Sequence, residues 1–213
     1  YSDIGFILLY KMIENLTGSS FDNYIDKSFY KQLGISGLCF NPIKSISAEK
    51  IMPTEDDQIF RKQLIHGYVH DPAAAMMGGI SGHAGLFSNA NDMAKIMQMY
   101  LNKGSYGTVC FFNPATIELF TSKQEGEKNN RRGLGFDKPE PDHSKPSPVC
   151  HAVSDNSYGH SGFTGTLVWA DPDYQLIYIF LSNRIYPDAG NNKLVEMNIR
   201  TKIQQEIYNS IDL

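Results

Sequence analysis

Two triplets carry side chains of chemically useful type, Tyr1-Ser2-Asp3 at the first residues and His160-Ser161-Gly162 far downstream. Taken singly, each has an ordinary structural explanation: a tyrosine at a helix start packs, and His-Ser-Gly before a turn ends a strand. A third group is built on histidine. His66 and His70 stand four residues apart, Asp71 follows directly, and His83 comes after a glycine-rich loop, a set of types that binds zinc. That spacing serves one metal only on a helix, and Gly67 with Asp71-Pro72 argues against a helix there. The glutamate of H-E-x-x-H is missing as well. His70, Asp71 and His83 are therefore read as hydrogen-bonding supports of the glycine-rich loop, with no metal and no cofactor expected.

The elements that must position these residues follow from periodicity and punctuation. YSDIGFILLYKMIENLTG predicts a helix from Asp3 to Leu16, capped by Ser2 or Asp3 and ended by Gly18, with Ile4, Ile7, Leu8, Met12, Ile13 and Leu16 forming one buried stripe. SSFDNYIDKSFYKQLG predicts a second helix, with Phe21, Tyr24, Ile25, Phe29 and Leu33 on one side and Gly34 at its end. Residues 36–65, with Pro42, Pro53 and the acidic run Glu55-Asp56-Asp57, hold no sustained period and read as a long surface excursion. The glycine-rich loop gives way at Ser88 or Asn91 to a helix carrying Met93, Ile96, Met97 and Tyr100, closed by Gly104. Asn113-Pro114 opens a short helix. Residues 121–155 are polar and proline-rich, GLGF at 133–136 apart, and read as a mobile, variable loop. Strands are expected near 157–161, 165–170 and 175–183 around the turn Asp171-Pro172-Asp173, apolar enough to be covered on both faces. A closing helix presents Leu194, Ile199, Ile203 and Ile207. The expectation is an α/β (α+β) architecture over residues 1–213: a mainly helical part (1–120), the variable loop, and an antiparallel sheet with the C-terminal helix (156–213).

Composition bounds the function. Of the 213 residues 41% are apolar and 20% charged, ordinary for a globular domain, and a net charge of −4 argues against a nucleic-acid partner. No run reaches the roughly 20 apolar residues of a membrane helix, and no signal peptide is visible. Cys39, Cys110 and Cys150 are odd in number and widely spaced, which suggests neither a disulfide framework nor a zinc knuckle.

In this order, and with GGISGHAGLFSNANDMAK between them, the two triplets resemble the serine β-lactamase and penicillin-binding-protein-like family, near class C β-lactamases and D-alanyl peptidases. The resemblance extends over nearly the whole chain. Family members use S-x-x-K, then Y-x-N, then K-T-G or H-x-G on a strand. Tyr1-Ser2-Asp3 stands where Y-x-N would, with a carboxylate that offers no donor in place of the amide, and His160-Ser161-Gly162 fits H-x-G. The resemblance implies that Tyr1 shuttles protons, its pKa lowered by neighbouring cations including His160, and that the Phe163 backbone donates to the oxyanion. Two S-x-x-K matches occur, Ser28 to Lys31 and Ser47 to Lys50, but both follow the tyrosine and neither reads as the start of a buried helix. The sequence is therefore read as the C-terminal part of the domain, with the nucleophile upstream and no activity expected of residues 1–213 alone.

HGYVHDP, NRRGLGFDKP and FLSNRIYP look like the β-lactamase-like module that some exported bacterial proteins fuse to a family 3 glycoside hydrolase. That implies a periplasmic or exported parent acting on a β-lactam, a D-Ala-D-Ala peptide of peptidoglycan, or an ester. The implied partners are the missing N-terminal part and, through an open sheet edge, a second copy. The alternatives are a non-catalytic peptidoglycan-binding or scaffold module and a histidine-based metal-dependent hydrolase.

Overall fold

The computed structural model describes residues 1–126 and 130–211; residues 127–129 of the expected variable loop lie outside the described residues. Contacts gather the chain into two compact units, Tyr1–Asp92 with Asn183–Gly190, and Met93–Ser182 with Asn191–Leu213.

The first unit opens with α1 (Asp3–Thr17). Ser2 takes the extended conformation of an N-cap, and Gly18 ends the helix at φ 64°, donating its N–H to Glu14. The ends are where the sequence puts them, but the face is not buried. Ile4, Leu8, Met12 and Leu16 are 68%, 65%, 49% and 77% exposed, while Tyr10 is buried and Phe6, Ile7 and Ile13 are half-buried. Periodicity reports an apolar face; burial also needs something to cover it, and the described residues supply none. The buried side of α1 meets the glycine-rich loop. A Cβ on Gly82 would lie 2.3 Å from the Phe6 carbonyl oxygen, so only glycine lets the two backbones approach this closely. Gly82→Ala should cost about 1–3 kcal/mol of stability, read from urea unfolding.

After α2 (Phe21–Ile25) the chain makes one π turn, Asp26–Tyr30, closed by Lys31 N–H on Asp26, so the second predicted helix is two different helical pieces that end together at Gly34, φ 65°. Then come β1 (Cys39–Phe40), β2 (Pro53–Asp57), β3 (Gln63–His66), α3 (Pro72–Met76) and β4 (Leu86–Phe87), with β1 antiparallel to β4 and β2 to β3. The surface excursion expected over 36–65 is thus partly a hairpin, and two of its acidic residues, Glu55 and Asp57, are buried. Arg61, in the hairpin turn, explains why. Its Nε donates to Asp57 at 2.9 Å and its Nη2 to Glu55, while the carbonyls of Val69 and His70 take further N–H groups at 2.6 and 2.9 Å. Asn183, in the returning segment, donates to the carbonyls of Pro53 and Thr54 at 2.6 and 2.9 Å.

The second unit contains most of α4 (Ala90–Leu101), then β5 (Ser105–Tyr106), β6 (Val109–Cys110) and α5 (Pro114–Thr121). The α4 cap is Asn89, between the two candidates, its Oδ1 accepting the Asp92 N–H at 3.0 Å. Asn113 accepts from Ala115 N–H at 2.9 Å with Pro114 in the first turn, as expected. The sheet is antiparallel in the order β7 (Tyr158–Ser161), β8 (Leu167–Asp171), β9 (Leu176–Phe180). Alternation along the strands sorts its two faces. Tyr158 and Ala170, with Val168 and Ile177, pack on Met97 and Leu101 of α4. Leu167, Trp169 and Tyr178, with Phe180, pack with Val149 and Ile207.

Ile207 belongs to α7 (Ile199–Asn209), which follows α6 (Lys193–Glu196) after a break at Asn198, φ 52°. Of the expected apolar stripe, Ile207 packs on the sheet and Leu194 and Ile199 are half-buried, but the stripe is not the most deeply buried row of this helix. Ile203 is exposed, and the inward row is Arg200, Gln204 and Tyr208. Arg200 donates to the carbonyls of Gly165 and Thr166, Gln204 accepts from Cys150 N–H, and Tyr208 donates to Asp171 at 2.7 Å. The turn residue Asp171 is itself buried, taking Ser154 N–H and hydroxyl as well. These polar partners exist only once the tertiary structure is formed, which is why hydropathy misses the row that they bury. Among the described residues β9 pairs with β8 alone, leaving one edge of the sheet unpaired.

Candidate active site

The two triplets fall in different units, and each has its own geometry. Tyr1 is 66% exposed, with its ring centroid 5.4 Å from that of Phe6. The Ser2 side chain makes no cap hydrogen bond, and Asp3 opens the exposed first turn of α1. One carboxylate oxygen each of Asp3 and Asp71 and a ring nitrogen of His83 lie within 4.8 Å of one another. Asp71 caps α3, accepting the Ala74 N–H at 2.7 Å, and the same oxygen lies 2.8 Å from His83 Nε2. Ser81 completes the chain, 2.9 Å from His83 Nδ1. Burial alone would raise the Asp71 carboxyl, but the Ala74 amide and His83 outweigh it and hold the group below its ordinary range. Asp71→Ala removes a helix cap and the partner of a buried imidazole, so a loss of about 1–3 kcal/mol is expected in thermal or urea unfolding, and less for Asp71→Asn.

The supporting role expected of His70, Asp71 and His83 therefore divides. Asp71 and His83 brace the loop beside Asp3, whereas His70 Nδ1 lies 2.9 Å from Glu55 in the Arg61 cluster. His66 turns to the Ile51 carbonyl at 2.7 Å. With separate partners, the three histidines do not form the metal-binding group of the alternative reading; the one group of metal-binding types among the described residues is Asp3, Asp71 and His83.

In the second unit His160 lies on β7, and Ser161 and Gly162 lead into a turn in which Gly162 N–H donates to Thr166 at 2.8 Å and Gly165 N–H to Gly162 at 3.0 Å. Phe163 stands exposed at its tip. Gly159 is required because a Cβ there would sit 2.1 Å from the Val168 carbonyl oxygen. His160 Nδ1 lies 2.8 Å from the Ser161 carbonyl and Nε2 3.5 Å from Arg132 Nη1. Arg132 is the residue that sequence reasoning missed. It sits in a turn, Arg132 bridging Asp137, and Asp137 in turn bridges Gly159 of β7. The signal was present in NRRGLGFDKP, where a glycine-rich turn separates two arginines from an aspartate. In the same segment burial pushes the Lys138 ammonium down to about 8, against the pull of Asp155, Asp171 and Asp173, and its Nζ donates to the Asn156 carbonyl.

Neither S-x-x-K match starts a buried helix. Ser28 lies within the π turn and Lys31 is 2.6 Å from Asp26, while Ser47 precedes and Lys50 ends an exposed 3-10 turn, Ala48–Lys50.

The beta-lactamase family model matches residues 1–197, which include both triplets and the glycine-rich loop between them. The chain belongs to the beta-lactamase family of serine hydrolases. A putative D-alanyl-D-alanine carboxypeptidase of Escherichia coli (strain K12) is 37% identical over 196 residues, covering 86% of this chain and 44% of that protein. The chain thus spans less than half the length of this curated relative. Among solved structures, simvastatin synthase from Aspergillus terreus aligns with a TM-score of 0.65 at 16% identity, over 95% of this chain and 53% of its own. A beta-lactamase from Mycobacterium bovis aligns with a TM-score of 0.62 at 19% identity, over 98% and 64%. Identities this low establish the fold, and the mixed helix and antiparallel sheet expected from the sequence is that fold, of which the chain covers part.

Proposed function

We propose that residues 1–213 are the part of a D-alanyl-D-alanine peptidase-like serine hydrolase that carries its second and third motifs. The observation that carries this reading is the 37% identity to a protein described as a putative D-alanyl-D-alanine carboxypeptidase, over 86% of the chain. In the proposed chemistry an upstream serine attacks the amide between the two D-alanines and passes its proton to Tyr1. The tetrahedral intermediate's oxyanion takes N–H donors from the Phe163 backbone and from the serine, and the leaving D-alanine takes the proton back. Water then hydrolyses the acyl-serine. His160, Ser161 and Gly162 line the substrate, and Ser2 and Asp3 stand beside the phenol. Peptidoglycan peptides lie outside the cytoplasmic membrane, which favours an exported parent. No helix among the described residues is long and apolar enough to cross a membrane. The exposed face of α1 is, on this reading, the seat of the remaining part of the domain.

Two measurements test the proposal. Residues 1–213 exposed to penicillin or an activated ester should gain no covalent mass; an adduct on Ser28 or Ser47 would overturn the reading of those serines as bystanders. In a protein joining these residues to an S-x-x-K segment, Tyr1→Phe should lower kcat/KM for a D-Ala-D-Ala peptide by about 10²–10⁴-fold. A change under about threefold would remove Tyr1 from the mechanism.

A further inference from the structure

Asp71 and His83 do more than brace the glycine-rich loop. One oxygen each of Asp3 and Asp71 and a ring nitrogen of His83 lie within 4.8 Å of one another, and three elements of the first unit set them there. Asp3 opens α1. Asp71 is fixed by capping α3, its Oδ1 accepting the Ala74 N–H at 2.7 Å. His83 follows Gly82, whose missing side chain lets the loop backbone lie against the Phe6 carbonyl of α1. Each ligand atom therefore stands on backbone fixed by a helix or by close approach to one. The imidazole, its side chain only 2% exposed, is held by both nitrogens: Nδ1 lies 2.9 Å from Ser81 Oγ and Nε2 2.8 Å from Asp71 Oδ1. A hydroxyl both donates and accepts, so the hydrogen of the neutral ring can sit on Nδ1 facing Ser81, which leaves the Nε2 lone pair turned toward the carboxylates. Metal-bound histidines are oriented in this manner, by a hydrogen bond from the other ring nitrogen.

We propose that Asp3, Asp71 and His83 form a site for a divalent transition ion of the zinc type, the ion taking the place of the hydrogen that otherwise lies between His83 and Asp71. An imidazole with two carboxylates suits zinc and its neighbours in the first transition row, whereas calcium and magnesium take oxygen ligands alone. The charges agree, since two carboxylates and a neutral imidazole balance a doubly charged ion. Ligand atoms about 2.1 Å from a tetrahedral ion stand roughly 3.4 Å from one another. The ion therefore parts His83 from Asp71 by about 0.6 Å and draws Asp3 inward. Asp3 is exposed, so water completes the coordination from the solvent side. Bound there, the ion ties the first turn of α1 to the glycine-rich loop and to the cap of α3, and it stabilises the fold in proportion to its affinity.

Calorimetric titration of the chelator-treated protein with zinc chloride tests the proposal. One equivalent should bind in the micromolar range or tighter, and excess zinc should raise the thermal midpoint by about 3 °C or more. Asp3→Ala, at an exposed position, should weaken binding by at least about tenfold and remove the thermal shift. Cobalt(II) in place of zinc should show the strong visible absorption of a four- or five-coordinate ion, and lose it in Asp3→Ala. The stacked rings of His143 and His151, with centroids 4.4 Å apart, are the natural place for adventitious zinc on this chain. The variant His143→Gln with His151→Gln should therefore keep the full affinity. Zinc binding that survives Asp3→Ala, or that disappears with the two surface histidines, would overturn the proposal, as would the lack of any one-to-one binding. None of these readouts is catalytic, so failure of the serine-hydrolase reading and failure of the metal site are told apart.

Discussion

Arg61→Ala should lower the thermal midpoint of the chain by about 10 °C or more, the largest effect expected of any single substitution in the first unit. The guanidinium is the shared partner of two buried carboxylates, Glu55 and Asp57, and also satisfies the carbonyls of Val69 and His70. Truncation leaves like charges buried without a counter-charge, which costs far more than the net worth of the pairs themselves. Arg61→Lys should recover only part of the loss, since an ammonium cannot reproduce the fork that reaches four acceptors. A fall of under about 3 °C for the alanine variant would sink this account.

The same cluster sets an acid dependence. Arg61 and the backbone amides of Phe60, Arg61 and Ile59, against the effect of burial, hold the Asp57 carboxyl well below its ordinary value of 3.8. A carboxyl depressed in the folded state contributes stability that is fully present above the unfolded value and is lost as pH falls through the folded one. Stability should therefore decline as pH drops below about 4, and Arg61→Ala should decline less steeply over that window because its Asp57 has less to lose. Equal acid slopes for the two proteins would be the contrary result, read from denaturant midpoints at successive pH values.

The second large effect is expected at α1. Ile4, Leu8, Met12 and Leu16 recur every four residues and are all at least half exposed, or within a percent of it, with Leu9 beside them at 50%. An apolar stripe of this length on an uncovered helix drives association. Residues 1–213 in isolation should bind a hydrophobic dye and scatter light as more than a monomer, and Leu8→Glu combined with Leu16→Glu should abolish both signals. The unpaired edge of β9 is a competing route to association, and the double substitution separates them: an oligomer that survives it would be joined through the sheet. A strictly monomeric, dye-silent chain would count against both surfaces.

Local chemistry made much of this protein readable from its sequence. Gly18, Gly34, Asn113 and Pro114 act within one turn of themselves, so the helix limits they mark survive folding. The three strands were legible because period-two burial on both faces leaves two apolar runs around a turn. The family could be read from two short triplets in order, since each motif is contiguous. Other features depend on partners far away in the chain. Asp57 and Glu55 look like surface charges until Arg61 is brought to them, and Ile203 looks buried until Arg200, Gln204 and Tyr208 find the carbonyls, the Cys150 amide and the Asp171 carboxylate that folding assembles. Asp3 gains Asp71 and His83 from loops about seventy and eighty residues on, and His160 gains Arg132 across a ladder that no periodicity announces. Hydropathy and capping are properties of a residue and its near neighbours. Which polar groups are paired, and hence which charges sit at a site, is decided only when the tertiary structure removes water and supplies the partner.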